Sequence, residues 1–440
     1  MPQRTDPSIE PNQPEREMGF LTPFGLLTAA VIVVCFFFTS HIWDASSIAN
    51  ASSLDYQFGD KNEAADRLRV VGGVSTTFRI VFASWGAFCF AIAPRSRLNF
   101  ASPFFWSLMS LALFLVSSLL WSVNPSQTAF KLAVLFSVAV GAAGVAAKFP
   151  LMETLSIFAC ACLSFNMLGI AAEIWSGSFR PSSNYRFVGT THPNYEAIFA
   201  SFLCLISRLY FSRLMTRSFL GLSIFGFGMV VVLITKSRTT LAGLLISLIV
   251  AQLLVLRGAN RMLFISALLV FASLGVAGSS MMSHGSSAQL SKAANMGRSN
   301  DSSLSGRLPL WEELLISIYK KPILGHGYLA YWDSKQVEYL SENFRWEISH
   351  GHNLYLDLLL DIGFVGLALV LLAISLAFFQ AASLYTSRNR IEYAIVFGLL
   401  AFACINGLAE SIFKHPSFYF FVIATCCFSM LKEPYKSRYQ

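Results

Sequence analysis

Two histidines and an asparagine, His350, His352 and Asn353, stand in the string HGHNLYLDLLLDIGFVG, directly ahead of a long apolar run. A neutral imidazole with a pKa near 6.5 can take a proton at pH 7, which suits general-base work. Four arginines recur in other polar segments: Arg186 in RFVGTTHPN, Arg238 in KSRTT, and Arg298 and Arg307 in GRSNDSSLSGRLPLW. Guanidinium forks match phosphate oxygens in pairs, so several on one face could hold a doubly charged anion such as a diphosphate.

Plainer roles compete with each of these. A metal site needs about three convergent ligands. His350 and His352 are two apart, would diverge on a helix, and have no third ligand fixed by spacing, so no metal is expected. Capping the following helix is another role open to this cluster. A juxtamembrane arginine ordinarily pairs with lipid headgroups or stays solvated. Lys236 with Arg238 departs from that pattern, because topology puts the pair on the side where basic residues are disfavoured. Asn353, Asp357 and Asp361 are four apart and share a helix face. Asp361 would lie about 13 Å below His352, which suits bonding to neighbouring helices. PILGHGY, with Gly325 and Gly327, reads as a turn, and the absence of a Walker motif argues against ATP as energy source. His192, His284 and His326 are assigned no role.

The elements that must position these groups are membrane spans. Of 440 residues, 55% are hydrophobic and 13% charged, roughly half the charge of a soluble domain. Apolar runs of about 20 residues recur from end to end, so the expected fold is all-α and polytopic, with about 12 transmembrane helices and a large periplasmic loop. Expected spans are 24–43, 77–93, 103–122, 128–147, 152–174, 194–212, 219–235, 240–256, 262–279, 353–379, 392–410 and 417–431. The corresponding regions are a polar cytoplasmic tail (1–23), a nine-helix membrane region (24–279), the large loop (280–352), a three-helix membrane region (353–431) and a second cytoplasmic tail (432–440). The first run lacks a small-residue cleavage site and reads as a retained helix. With both termini cytoplasmic, most loop arginines and lysines fall inside, as membrane proteins prefer. Segments 44–76, 175–193, 236–239 and 280–352 then lie outside and hold nearly all the candidate chemistry.

The net charge of +8 is spread over short loops and forms no basic stripe interleaved with aromatics, which argues against nucleic acid. All eight cysteines sit inside apolar runs and read as small buried hydrophobes. Within the large loop, LPLWEELLISIYKKP spaces Leu308, Trp311, Leu314, Leu315 and Ile318 as a helix on the membrane surface, ended by Pro322.

Four segments, RFVGTTHPN, SRTTLAG, LSGRLPLW…PILGHGY and HGHNLYLDLLLDIGFVG, occur in an order that resembles the O-antigen ligase and polysaccharide polymerase family of bacterial inner membranes. The resemblance runs from about Arg186 to Gly366, and the last segment is closest to the exopolysaccharide-production polymerases. It implies a metal-independent glycosyltransferase without cofactor, using an oligosaccharide on undecaprenyl diphosphate at the outer face. His352, with His350 second, would be the base. Arg186, Arg238, Arg307 and Arg298 would bind the diphosphate. Membrane lipid, a flippase and a chain-length regulator are the implied partners. An O-antigen ligase, transferring the same donor to lipid A-core, is the nearest alternative. A transporter or flippase of lipid-linked sugars is the second, and it would need polar residues near the bilayer midplane.

Overall fold

Four of the helices start on proline: Pro23, Pro103, Pro125 and Pro193 occupy the first turn, where the missing N–H costs nothing. Side chains cap several starts as well. Asn124 accepts from Gln127 N at 3.2 Å, Asn353 from Tyr355 N and Leu356 N at 3.0 and 3.2 Å, and Ser417 from Phe420 N. The described apolar runs are helical in the structure, a computed structural model. It describes residues 21–40, 77–94, 99–182, 185–210, 215–258, 260–263, 265–266, 307–344, 348–411 and 416–433.

The helices are α1 (Pro23–Ser40), α2 (Thr77–Ala91), α3 (Pro103–Ser117), α4 (Pro125–Lys148), α5 (Leu151–Trp175), α6 (Pro193–Ile206), α7 (Met215–Ile234) and α8 (Arg238–Val255). They continue as α9 (Arg307–Lys320), α10 (Ser334–Phe344), α11 (Leu354–Arg388), α12 (Ile391–Asn406) and α13 (Phe418–Leu431). No strand occurs among the described residues. Among the described residues, five helices are long and apolar enough to cross a bilayer, and five shorter ones are apolar. Together they make an all-α, polytopic membrane protein. Most of the expected span 262–279 lies outside the described residues, as does Arg298.

Phenylalanine fills the core. Phe36, Phe82, Phe158 and Phe421 meet at ring separations of 4.9–5.6 Å, and Phe165, Phe199 and Phe418 continue the stack. These rings join α1, α2, α5, α6 and α13, where lipid-like surroundings leave packing rather than water exclusion to hold helices together. Large apolar side chains such as Ile80, Phe90, Leu113, Phe219 and Phe364 stay exposed on the flanks, as lipid-facing residues would. The eight cysteines are unbridged.

Two features of the polar end were not visible in the apolar pattern. The surface helix α9 is covered on one face: Leu310, Leu314 and Ile318 are buried with Leu340 of α10, Ile348 and Leu360 of α11. Its opposite face keeps Ile316 and Tyr319 exposed. Second, α11 is interrupted at Gly363, whose φ of 64° and ψ of −169° only glycine adopts readily. The turn PILGHGY fills the interruption. His326 N and Gly327 N donate to Leu360 O and Asp361 O at 2.8 Å each, while Phe364 N and Val365 N donate back to Pro322 O and Ile323 O at 2.8 and 3.2 Å. A Cβ on Gly363 would collide with the Ile323 carbonyl, and one on Gly325 would stand 2.6 Å from the α11 backbone. Gly325, read as part of a turn, therefore also serves a close backbone crossing with Gly363.

Candidate active site

The groups singled out in the sequence meet where several helices begin. His192 caps α6, Ser237 immediately precedes α8, Arg307 opens α9, and His352 precedes the Asn353 cap of α11. Helix N-termini carry partial positive charge, so their gathering favours an anion. α12 approaches from the other direction, and the turn after it carries Glu410.

Asn194 and Glu410 tie this end together. Arg186 Nη2 donates to Asn194 Oδ1 at 3.2 Å, and Ser237 Oγ reaches the same oxygen at 2.9 Å. Asn194 Nδ2 donates to Glu410 Oε1 at 2.6 Å. Arg307 donates to that oxygen at 3.2 Å and to Ala409 O at 2.6 Å. His352 Nδ1 stands 3.7 Å from Glu410 Oε2, an electrostatic pair longer than a hydrogen bond. Glu410 is 2% exposed, against 17% for Arg307 and 19% for His352. Burial alone would raise its carboxyl, but His352 and Arg307 outweigh burial and hold it down at about 2. Glu410 is therefore ionised at neutral pH.

Arg186 is held from behind. Its Nε donates to Thr235 O at 2.9 Å, and Phe187 N donates to Ile234 O. Buried Glu173 accepts from Val188 N and Gly189 N at 2.7 and 2.8 Å and from the Tyr185 hydroxyl. Buried Glu196 accepts from Thr190 N and the Thr191 hydroxyl. Two buried glutamate side chains thus bind the loop through its own donors. The link 234–238 beside it contains Lys236 with φ of 51° and delivers half-buried Arg238 at the first position of α8.

The histidine turn is fixed as firmly. His352 has a φ of 50°, rare for a side-chain-bearing residue. Gly351 N donates to both oxygens of Asp357 at 3.1 Å, Trp311 Nε1 donates to Gly351 O at 2.8 Å, and Leu354 N donates to Gly407 O. Trp332 Nε1 also donates to Asp357, at 2.9 Å. This backbone brings the His350 and His352 rings to 4.1 Å between centroids. The expectation that they diverge fails because they sit on a left-handed turn, not on a helix. A third potential ligand also exists: His350, His352 and Glu410 each offer one atom within 4.8 Å of the others.

The structure thus joins Arg186, Arg307 and His352 through shared partners, with His350 against His352 and Arg238 alongside. Glu410 and Asn194 were missed as the connectors. The available signals were an isolated acid at the end of an apolar run and an asparagine beside Arg186. His192, dismissed in the sequence, also belongs here: its Nδ1 accepts from Asn194 N at 3.3 Å. Surrounding protein and the Arg186 charge lower its pKa to about 4, so it is neutral at pH 7 although the residue is exposed. His326 stays at the α11 interruption, with Nδ1 3.0 Å from Leu360 O, and His284 lies outside the described residues.

Residues 220–371, which contain both histidines, Arg238 and Arg307, match the O-antigen ligase family. The chain is also 30% identical over 182 residues to the exopolysaccharide production protein ExoQ of Rhizobium meliloti (strain 1021). The likeness to the O-antigen ligase family rests on residues 220–371. The alignment with that relative covers 40% of this chain and 40% of the relative. Enzymes of this family act on lipid-linked glycans in membranes. Arg186 and Glu410 fall outside the family match, yet both bond to Asn194.

Proposed function

We propose that this chain is an inner-membrane glycosyltransferase that joins undecaprenyl-diphosphate-linked oligosaccharides into exopolysaccharide at the periplasmic face, with both termini cytoplasmic. The observation that carries the reading is the Asn194–Glu410 connection, which unites a basic imidazole and two arginines from distant parts of the sequence at one polar end of the bundle. On this reading residues 280–352 form the outer loop, and 24–279 and 353–431 the membrane regions.

His352 accepts the proton of an acceptor sugar hydroxyl. That oxygen attacks the anomeric carbon of the donor, and the bond from that carbon to the diphosphate oxygen breaks with its electron pair leaving on the lipid diphosphate. Ionised Glu410 faces Nδ1, which favours a proton there and leaves Nε2 as the base. His350 is the alternative base. Arg186, Arg238 and Arg307, with Arg298 of the outer loop, stabilise charge on the diphosphate, a task that fixed donors perform well in a partly dehydrated site. Their charge takes the place of a metal, and the glycosyl-diphosphate bond supplies the driving force. A flippase would deliver the donor and a chain-length regulator would set the product.

The test uses purified protein in lipid with one undecaprenyl-diphosphate oligosaccharide and a chelator. A ladder of products from donor alone is expected. No ladder, but a shifted band after lipid A-core is added, would replace the polymerase reading by a ligase. Inactivity with both acceptors would remove the glycosyl-transfer reading.

A further inference from the structure

We propose that His350, His352 and Glu410 form a three-ligand site for a zinc-class divalent cation, and that filling it silences the protein. The silencing rests on the role of His352 as base; the site itself does not.

Two imidazoles and one carboxylate form a donor set that zinc uses at ~2.0–2.2 Å, often with water in the fourth position. Magnesium and calcium prefer oxygen donors. The ligand atoms lie within 4.8 Å of one another, so a tetrahedral set would need them to close by roughly an ångström. Half-buried His350 can supply that movement. The more constrained partners already converge: the left-handed His352 backbone is held through Gly351 by Asp357 and Trp311, and buried Glu410 turns Oε2 toward the imidazole.

The atoms facing away from the centre are engaged, as outer partners of metal ligands usually are. His350 Nδ1 is 3.1 Å from Ser349 Oγ, which assigns coordination to Nε2. Glu410 Oε1 accepts from Asn194 and Arg307. Arg307 opposes a dication, which makes the site weaker than a structural zinc cage and suits a reversible inhibitor. An ion on His352 would occupy a ring nitrogen and tie the imidazole to a carboxylate, so that it could no longer take a proton from a hydroxyl.

The binding test uses the full chain in detergent with zinc chloride alone, titrated against a chromophoric chelator. One zinc per chain is expected. His350→Ala and Glu410→Gln should each weaken binding at least tenfold, His350→Asp should restore part of it, and His284→Asn should change nothing. Equal affinity in wild type, His350→Ala and Glu410→Gln would overturn the site. In the polymer assay, saturating zinc should reduce product at least tenfold, with recovery on adding chelator; unchanged product would overturn the silencing. Because binding needs no turnover, its failure is distinct from a failure of glycosyl transfer, which would show as absent product without zinc.

Discussion

At the end of the bundle away from the site, cations are matched locally: Arg388 pairs with Glu433, and Arg390 with Glu392 at 2.5 Å. Lys432 and Lys148 donate to the carbonyls of Phe149 and Ile92. At the site end, Arg186 bonds to neutral acceptors, Thr235 O and Asn194 Oδ1, while Arg307 and His352 share the single carboxylate of Glu410. Both ends are basic, but Arg388 and Arg390 each have a carboxylate of their own, whereas Arg186 is held by neutral acceptors and Arg307 shares Glu410 with His352. Neutral acceptors can fix an arginine without cancelling it, which is what a site for a dianion requires. Net charge in a loop therefore says less about function than the kind of partner that holds the charge.

Substitutions at the two ends should separate them sharply. His352→Ala should lower polymer formation by ~10²–10⁴-fold while donor binding survives; a normal product ladder would sink the base assignment. Glu410→Gln keeps the shape but removes the shared charge, and turnover should fall ~10–100-fold. Arg238→Lys should cost about tenfold if the guanidinium forks onto phosphate, and indifference in kinetic assays would assign it to headgroup contact.

His192 gives a smaller, pH-dependent effect. Its folded pKa of about 4 lies below the ordinary 6.5, so between these values the unfolded chain binds a proton that the folded chain refuses. Stability should be unaffected above pH 6.5 and decline as the pH falls toward 4. Thermal unfolding of His192→Gln should show a flatter profile over that window. At the far end, Arg388→Ala removes a pair in which both partners remain partly exposed, and should cost under about 1 kcal/mol in unfolding with unchanged turnover. A large loss of activity there would erase the distinction between the ends.

The helices were legible because a span needs only length and apolarity, and both are written locally. The chemically able residue types were legible too, since His350, His352 and the arginines interrupt an otherwise apolar chain. Their assembly was not. Asn194 and Glu410 are 216 positions apart, and nothing in HPN or GLAE announces the other. Convergence of the two histidines depends on a left-handed residue that HGHN does not specify by composition. Helix α10 went unseen because its apolar face, Val337, Leu340 and Phe344, is too short and too diluted by polar residues to register as a span. The Gly363 interruption was masked because IGFVG continues the hydrophobic run without a polar break.

That interruption fixes a depth. An unbroken α11 of 35 residues would extend about 52 Å, far beyond a hydrocarbon core of about 30 Å. Splitting it near the start leaves 364–388 to match the bilayer, about 37 Å long, and frees the preceding turns to follow the polar end. The PILGHGY turn locks this division by hydrogen bonds on both sides of the break. The offset of the HGHN turn from residues 364–388 is thereby set by a wedge of backbone rather than by where hydropathy changes. On the proposed function, a lipid-borne substrate would meet its base at a fixed level relative to that helix.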